Sequence, residues 1–234
     1  MNRQRTDGRW RRLVVMDVDS TLVATEGIDL LAAIAGVGER VAAITERAMR
    51  GELDFAASLR ERVGLLAGLP TSAIEAANAR VAPNPGAEAL IAGLQARGWR
   101  IGLVSGGFTA MVGPLAARFG VDHYRANTLE ITDGHLTGRL TGPIVDRAAK
   151  AAALREWAAA DGVPPAHTAA MGDGANDLDM MDAAGLSIAF HAKPAVAARA
   201  DTVIATKGLD AALPILDVWA QSAAGAVTSI EREV

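Results

Sequence analysis

Two short apolar runs in this chain each end abruptly in acidic residues, and no other feature restricts the possible folds as much. Leu13-Val14-Val15-Met16 leads into Asp17-Val18-Asp19-Ser20-Thr21, and Thr168-Ala169-Ala170-Met171 leads into Gly172-Asp173-Gly174-Ala175-Asn176-Asp177. A brief apolar run bounded by turn formers reads as a buried strand. Strands that open into acidic loops suit the carboxyl edge of a parallel sheet, where open α/β folds bind their ligands. Four carboxylates gathered there would repel one another, and a divalent cation relieves that repulsion. The combination suits phosphoryl chemistry.

The rest of the chain alternates in the same style. Strands are expected at Leu13–Met16, Arg100–Val104, Val121–Ala126, Thr168–Met171 and Leu186–Phe190, with helices between them. The fold class is therefore α/β, a doubly wound parallel Rossmann-like sheet. Asn84-Pro85-Gly86 starts one helix and Gly98 ends it, while Asp146 caps an Ala-rich helix running towards Ala160. Pro114 inside a helical stretch predicts a kink or a second start. Thr132-Asp133-Gly134-His135 reads as a hairpin tip.

One block breaks the alternation. Ile28–Ala35, Glu39–Arg50, Asp54–Ala67 and Ser72–Arg80 are amphipathic helical patterns with no strand among them. Such a block after the first strand reads as an inserted helical cap over the acidic loops. The division expected is a core of residues 1–23 and 83–234 and a small cap of residues 24–82.

Composition narrows the chemistry. At 234 residues with half of them apolar, a packed core is secure, and a net charge of −4 offers no basic stripe for nucleic acid. The absence of Cys removes disulfides, thiolate nucleophiles and cysteine-dependent phosphatase chemistry. The four histidines lack metal spacing and read as structural or surface residues. Residues 1–12 read as a basic polar tail, not a secretory signal, and no segment is long enough to span a bilayer. A soluble, cytoplasmic chain is expected.

A carboxylate at a strand exit can attack phosphorus, which casts Asp17 as nucleophile. Asp19, two residues on along an extended backbone, shares its side and can serve as general acid and then base. Magnesium suits the acidic loops better than calcium, because the EF-hand spacing fails. Asp17, the Asp19 carbonyl and Asp173 are the expected direct ligands, with Asp177 acting through water or by holding a lysine. Ser105-Gly106-Gly107, read as the opening of a helix, could cradle an anion. Lys150 could neutralise a phosphate. Taken singly, each segment also fits a plainer role as a turn, a helix cap or solvated surface.

Together, Asp17–Thr21, Ser105–Gly107, Lys150 and Gly172–Asp177 resemble the four ordered motifs of the haloacid dehalogenase (HAD) phosphatase superfamily. More narrowly, Met49–Phe55, Ser58–Val63 and Ala189–Pro194 are similar to runs of the phosphoserine phosphatase family. The resemblance covers roughly Leu13 to Asp201. It implies hydrolysis of O-phospho-L-serine to L-serine and phosphate through an aspartyl-phosphate, the last step of serine biosynthesis, with magnesium as cofactor. It also implies that Glu26 pairs with the substrate ammonium and Arg62 with its carboxylate, while Met49 and Phe55 close over the phosphoester. Ser105, Gly106 and Lys150 would hold the phosphate, and Asn176 would touch substrate or order the metal loop. Asp179 departs from the Pro of many relatives. The regulatory amino-terminal domain of some members is not expected here. Phosphoryl transfer to another acceptor such as homoserine, hydrolysis of another small phosphoester, and a non-catalytic binding module stay open as alternatives. So does assembly, with a homodimer as one form.

Overall fold

The computed structural model describes residues 11–206 and 208–230. Strand β1 (Leu13–Met16) is wholly buried and pairs in parallel with β2 (Arg100–Phe108) on one side and β5 (Thr168–Gly172) on the other. Met16 lies in register with both Leu103 and Met171, so the segments that follow the three strands leave the sheet at one edge. Outside them run β3 (His123–Thr132), β4 (His135–Thr141), β6 (Leu186–Phe190) and β7 (Thr202–Ile204). The order is β4-β3-β2-β1-β5-β6-β7, with only β4 antiparallel to its neighbour.

Alternation along the strands supplies two apolar faces. Val14, Met16, Ile101 and Leu103 face helices α5 (Ala87–Ala96), α6 (Thr109–Phe119) and α10 (Ala212–Ile230). Leu13, Val15 and Ala170 face α7 (Arg147–Asp161), α8 (Leu178–Ala183) and α9 (Pro194–Ala197). This is the doubly wound arrangement.

Helices α1 (Gly27–Ala35), α2 (Gly38–Met49), α3 (Phe55–Gly64) and α4 (Ser72–Asn78) gather around a separate apolar cluster that includes Leu31, Val41, Leu59, Val63 and Leu66. Phe108 of β2, Leu129 of β3 and Leu136 of β4 complete it. The β3–β4 hairpin turns on Asp133 and Gly134, both with positive φ, the requirement of a type I′ turn. Its backbone holds the segment after α3: Gly68 N donates to Leu136 O at 2.8 Å and Thr71 N to Gly134 O at 2.9 Å.

The structure revises or completes the sequence reading at four points. Ser105, Gly106 and Gly107 continue β2 and do not open a helix; α6 begins at Thr109. Asn127 keeps this stretch extended, with Nδ2 donating to Gly106 O and Oδ1 accepting from Val145 N, both at 2.8 Å. Helix α6 runs through Pro114 without restarting. Proline has no N–H for the carbonyl four residues back, and Asn78 Nδ2 from α4 donates to that Ala110 carbonyl instead, at 2.9 Å. Strand β7 was not foreseen, because three residues beside Asp201 carry too little pattern. Finally, Arg12 is not part of a loose tail: it is 6% exposed, its guanidinium lies 4.4 Å from the Trp219 ring centroid, and Nη2 donates to Ala220 O at 2.6 Å. Residues 1–10 of the expected tail lie outside the described residues. No described helix is long and apolar enough to cross a membrane.

Candidate active site

The exit of β1 places Asp17 almost fully buried, its N–H donating to Met171 O at 2.9 Å across the sheet. Lys150, one turn into α7, reaches the same point from below. The α7 start is fixed by the Asp146 carboxylate, which accepts from Ala149 N at 2.9 Å. Lys150 is 0% exposed, and Nζ donates to Asp17 Oδ1 at 2.6 Å and to Asp177 Oδ1 at 2.7 Å. Asp177 is buried too, and its Oδ2 accepts from Gly174 N at 3.1 Å. Gly172 is needed for that approach, since a Cβ there would stand 2.4 Å from Asp177 Cγ.

Asp19 is held from two elements. Its Oδ2 accepts from Ser105 Oγ at 2.6 Å and its Oδ1 from Gly27 N at 2.8 Å. The first bond reaches the end of β2 and the second the start of α1, so one carboxylate joins the sheet to the first helix. Ser20, with φ of 60°, donates from Oγ to Glu26 Oε1 at 2.7 Å. Thr21 Oγ1 lies 3.4 Å from Asp173 Oδ1.

Above these loops lies a cavity of about 500 Å³. Asp17, Asp19, Asp173, Asn176 and Gly106 line it from the sheet edge and its loops, and Glu26, Met49, Phe55 and Arg62 from the region of α1 to α3. Phe55, Ser58, Leu59 and Arg62 share one face of α3 at helical spacing, and all four reach the cavity. Phe55 packs so close to Gly106 that a Cβ there would meet its Cζ at 2.9 Å. Met49 also lines the cavity but stays 71% exposed. Ser105, Lys150 and Asp177 are buried behind the wall and are not part of its lining. Asp179 pairs with Arg147 at 2.5 Å.

Several lining residues were not singled out as site residues in the sequence. Asp29 follows Glu26 by one helical turn, and Lys193 lies just before α9. Ser58 is buried against the cavity with no hydrogen-bond partner for its hydroxyl among the described residues. A helical spacing from Arg62 was the available signal for Ser58, and a spacing from Glu26 for Asp29.

The electrostatics are those of an overcrowded anionic site. Burial, then Asp177, holds the Asp17 carboxyl well above its ordinary range, with Lys150 opposing. Burial and Asp177 raise Asp173 in the same way. Burial acts to lower the Lys150 ammonium, but Asp17 and Asp177 outweigh it and hold the group charged. Loss of water and the Asp19 charge raise Glu26. Burial lowers the Arg62 guanidinium, with Glu26 and Asp29 opposing. Oxygens of Asp17, Asp173 and Asp177 come within 4.8 Å of one another, and a single ammonium does not balance three carboxylates. An all-oxygen set with surplus negative charge could hold a metal ion, of the hard divalent type.

Comparison with known proteins agrees with this geometry. The profile of haloacid dehalogenase-like hydrolases matches residues 14–182. A phosphoserine phosphatase of Streptomyces coelicolor is 53% identical over 220 residues, covering 94% of this chain and 54% of that protein. One of Streptococcus thermophilus is 53% identical over 205 residues, covering 88% of this chain and 95% of that protein. The chain thus spans about half the length of the first of these and nearly all of the second. Among solved structures, a phospho-aspartyl intermediate analogue of phosphoserine phosphatase superposes with a TM-score of 0.84 at 42% identity, covering 89% of this chain and 100% of that one. A substrate-bound phosphoserine phosphatase complex gives 0.83 at 42% identity, with coverage of 88% and 98%. The chain belongs to the haloacid dehalogenase-like hydrolase family, and the relatives compared above are phosphoserine phosphatases.

Proposed function

We propose that this protein hydrolyses O-phospho-L-serine to L-serine and phosphate, with a core of residues 1–23 and 83–234 and a cap of residues 24–82. The observation that carries this reading is the buried triad of Asp17, Lys150 and Asp177 beneath a cavity that also presents Glu26 and Arg62. A carboxylate oxygen of Asp17 attacks phosphorus, and the bond from phosphorus to the serine oxygen breaks. Asp19, which must enter this step protonated and so give up its acceptor role towards Ser105 or Gly27, passes that proton to the departing oxygen. Water then attacks the aspartyl-phosphate, Asp19 takes its proton, and the bond from phosphorus to Asp17 breaks to free phosphate. Lys150 stays charged throughout and steadies the developing negative charge from below.

Arg62 offers a planar fork to the substrate carboxylate, and Glu26 an anion to its ammonium. Gly106 borders the phosphoryl position with Ser105 behind it holding Asp19, and Asn176 stands on the opposite loop. Phe55 against Gly106 excludes water from the reacting centre, and Met49 completes that cover when the cap shuts. Magnesium is the proposed ion, held by Asp17, the Asp19 carbonyl and Asp173, with Asp177 behind them; it would offset charge on the phosphoryl oxygens. The names of the relatives and the phospho-aspartyl analogue support the reading.

Phosphate release tests it. With magnesium present, O-phospho-L-serine should be turned over at a kcat/KM at least about a hundredfold above that of a phosphoester lacking both amine and carboxylate, a gap of about 2.7 kcal/mol. Equal rates on both substrates would overturn the substrate reading.

A further inference from the structure

The cavity wall is markedly acidic. Asp17, Asp19, Glu26, Asp29 and Asp173 line it against two cations, Arg62 and Lys193. Lys150 is engaged from below, with Nζ bonded to two carboxylates and no exposure. Arg62 belongs to the cap. Lys193 is therefore the one cation that the core wall presents to an anion arriving through the cavity, among the described residues. It is solvent-exposed and forms no salt bridge with a carboxylate of those residues.

Its position is built, not incidental. Lys193 N donates to Asp173 O at 3.2 Å, which ties its backbone to the acidic loop after β5. His191, two residues earlier, has φ of 46°, a left-handed conformation rare outside glycine and characteristic of constrained segments near functional sites. That turn is braced by His191 N donating to Ile204 O at 2.8 Å and by the imidazole stacked 4.1 Å from the Phe190 ring. Pro194 then starts α9, whose Val196 is buried. The segment holds Lys193 at the cavity beside Asp173, and the nearby ammonium draws the Asp173 carboxyl down against its burial.

We propose that Lys193 is a further substrate-capturing residue, which attracts the anionic phosphoryl group past the acidic wall and holds the phosphate before release. This rests on the phosphomonoesterase reading above. A lysine in this role acts as an unshielded point charge, so its effect weakens with salt.

The test compares the full chain with Lys193→Met, Lys193→Gln and Lys193→Arg. Each keeps the backbone N–H to Asp173, and thermal unfolding confirms the fold. Expected for Lys193→Met and Lys193→Gln is a fall of roughly tenfold in kcat/KM at low salt, carried mainly by KM. Their kcat/KM should depend less on ionic strength, calorimetric binding of inorganic phosphate should weaken about as much, and Lys193→Arg should restore both. Unchanged phosphate affinity and an unchanged salt slope in the neutral variants would overturn the proposal. If the parent binds phosphate but leaves phosphoserine intact, the substrate reading fails, and the Lys193 proposal is then decided by phosphate affinity alone.

Discussion

At the scale of single residues, the carboxylates stood out from local pattern, whereas Lys150 was picked out only by its place in the ordered set of motifs. Asp17, Asp19, Asp173 and Asp177 fall at strand exits, a position that local pattern reveals. Lys150 carries no such mark, because a lone lysine on a helix ordinarily lies in solvent. Only its 0% exposure and its two carboxylate bonds show that it holds the site together. Replacing it with Met leaves Asp17 and Asp177 buried without a counter-charge, so Lys150→Met should lose about 3–5 kcal/mol of stability as well as activity. Denaturant unfolding checks this, and a loss below about 1 kcal/mol would contradict it. The raised carboxyls have a pH consequence. The folded, metal-free chain keeps protons on Asp17 and Asp173 more tightly than the unfolded chain does. Their contribution to stability therefore falls as pH rises above the ordinary value of 3.8 and through the raised values. A cation needs those groups ionised, so magnesium should raise the melting temperature more at pH 8 than at pH 5. An equal rise at both would show that these carboxyls are not its ligands.

At the scale of elements, the buried strands and the cap helices could be read from pattern because periodicity and capping residues agree there. Asp54 and Asp146 accept from Ala57 N and Ala149 N at the starts of α3 and α7, as helix-capping carboxylates do. Failures occurred where a distant partner decides the local structure. The extension of β2 through Ser105-Gly106-Gly107 depends on Asn127, and the continuity of α6 through Pro114 is supported by Asn78 of α4. Neither partner is a neighbour in sequence. Asn78→Leu removes the donor to the Ala110 carbonyl and leaves that group without its replacement for the missing proline N–H. A loss of about 1–3 kcal/mol is expected, read by thermal or denaturant unfolding against the parent. No loss would mean that water serves the carbonyl equally well.

At the scale of the whole molecule, the sheet and helices α1 to α4 meet through specific polar contacts and a shared apolar cluster. Asp19 bridges Ser105 and Gly27, Phe55 rests on Gly106, and the β3–β4 hairpin joins the apolar cluster of the cap. That last feature was hidden in the sequence, since Leu129 and Leu136 read as ordinary hairpin residues. The cap brings Arg62 over the acidic loops, and its value to catalysis is selective. Arg62→Ala should raise KM for phosphoserine by about a hundredfold while altering a phosphoester without a carboxylate by less than about threefold, since a charge-assisted bidentate contact contributes a few kcal/mol. Similar losses on both would mean that the cap does not read the amino acid. The central claim, that Asp17 takes the phosphoryl group, is tested most directly by acid-quenching the protein during turnover of phosphoserine and mapping the phosphorylated peptide. A base-labile phosphoryl group on Asp17, lost together with turnover in a folded Asp17→Asn variant, is the predicted result. Phosphorylation elsewhere, or near-parental turnover by Asp17→Asn, would contradict the account.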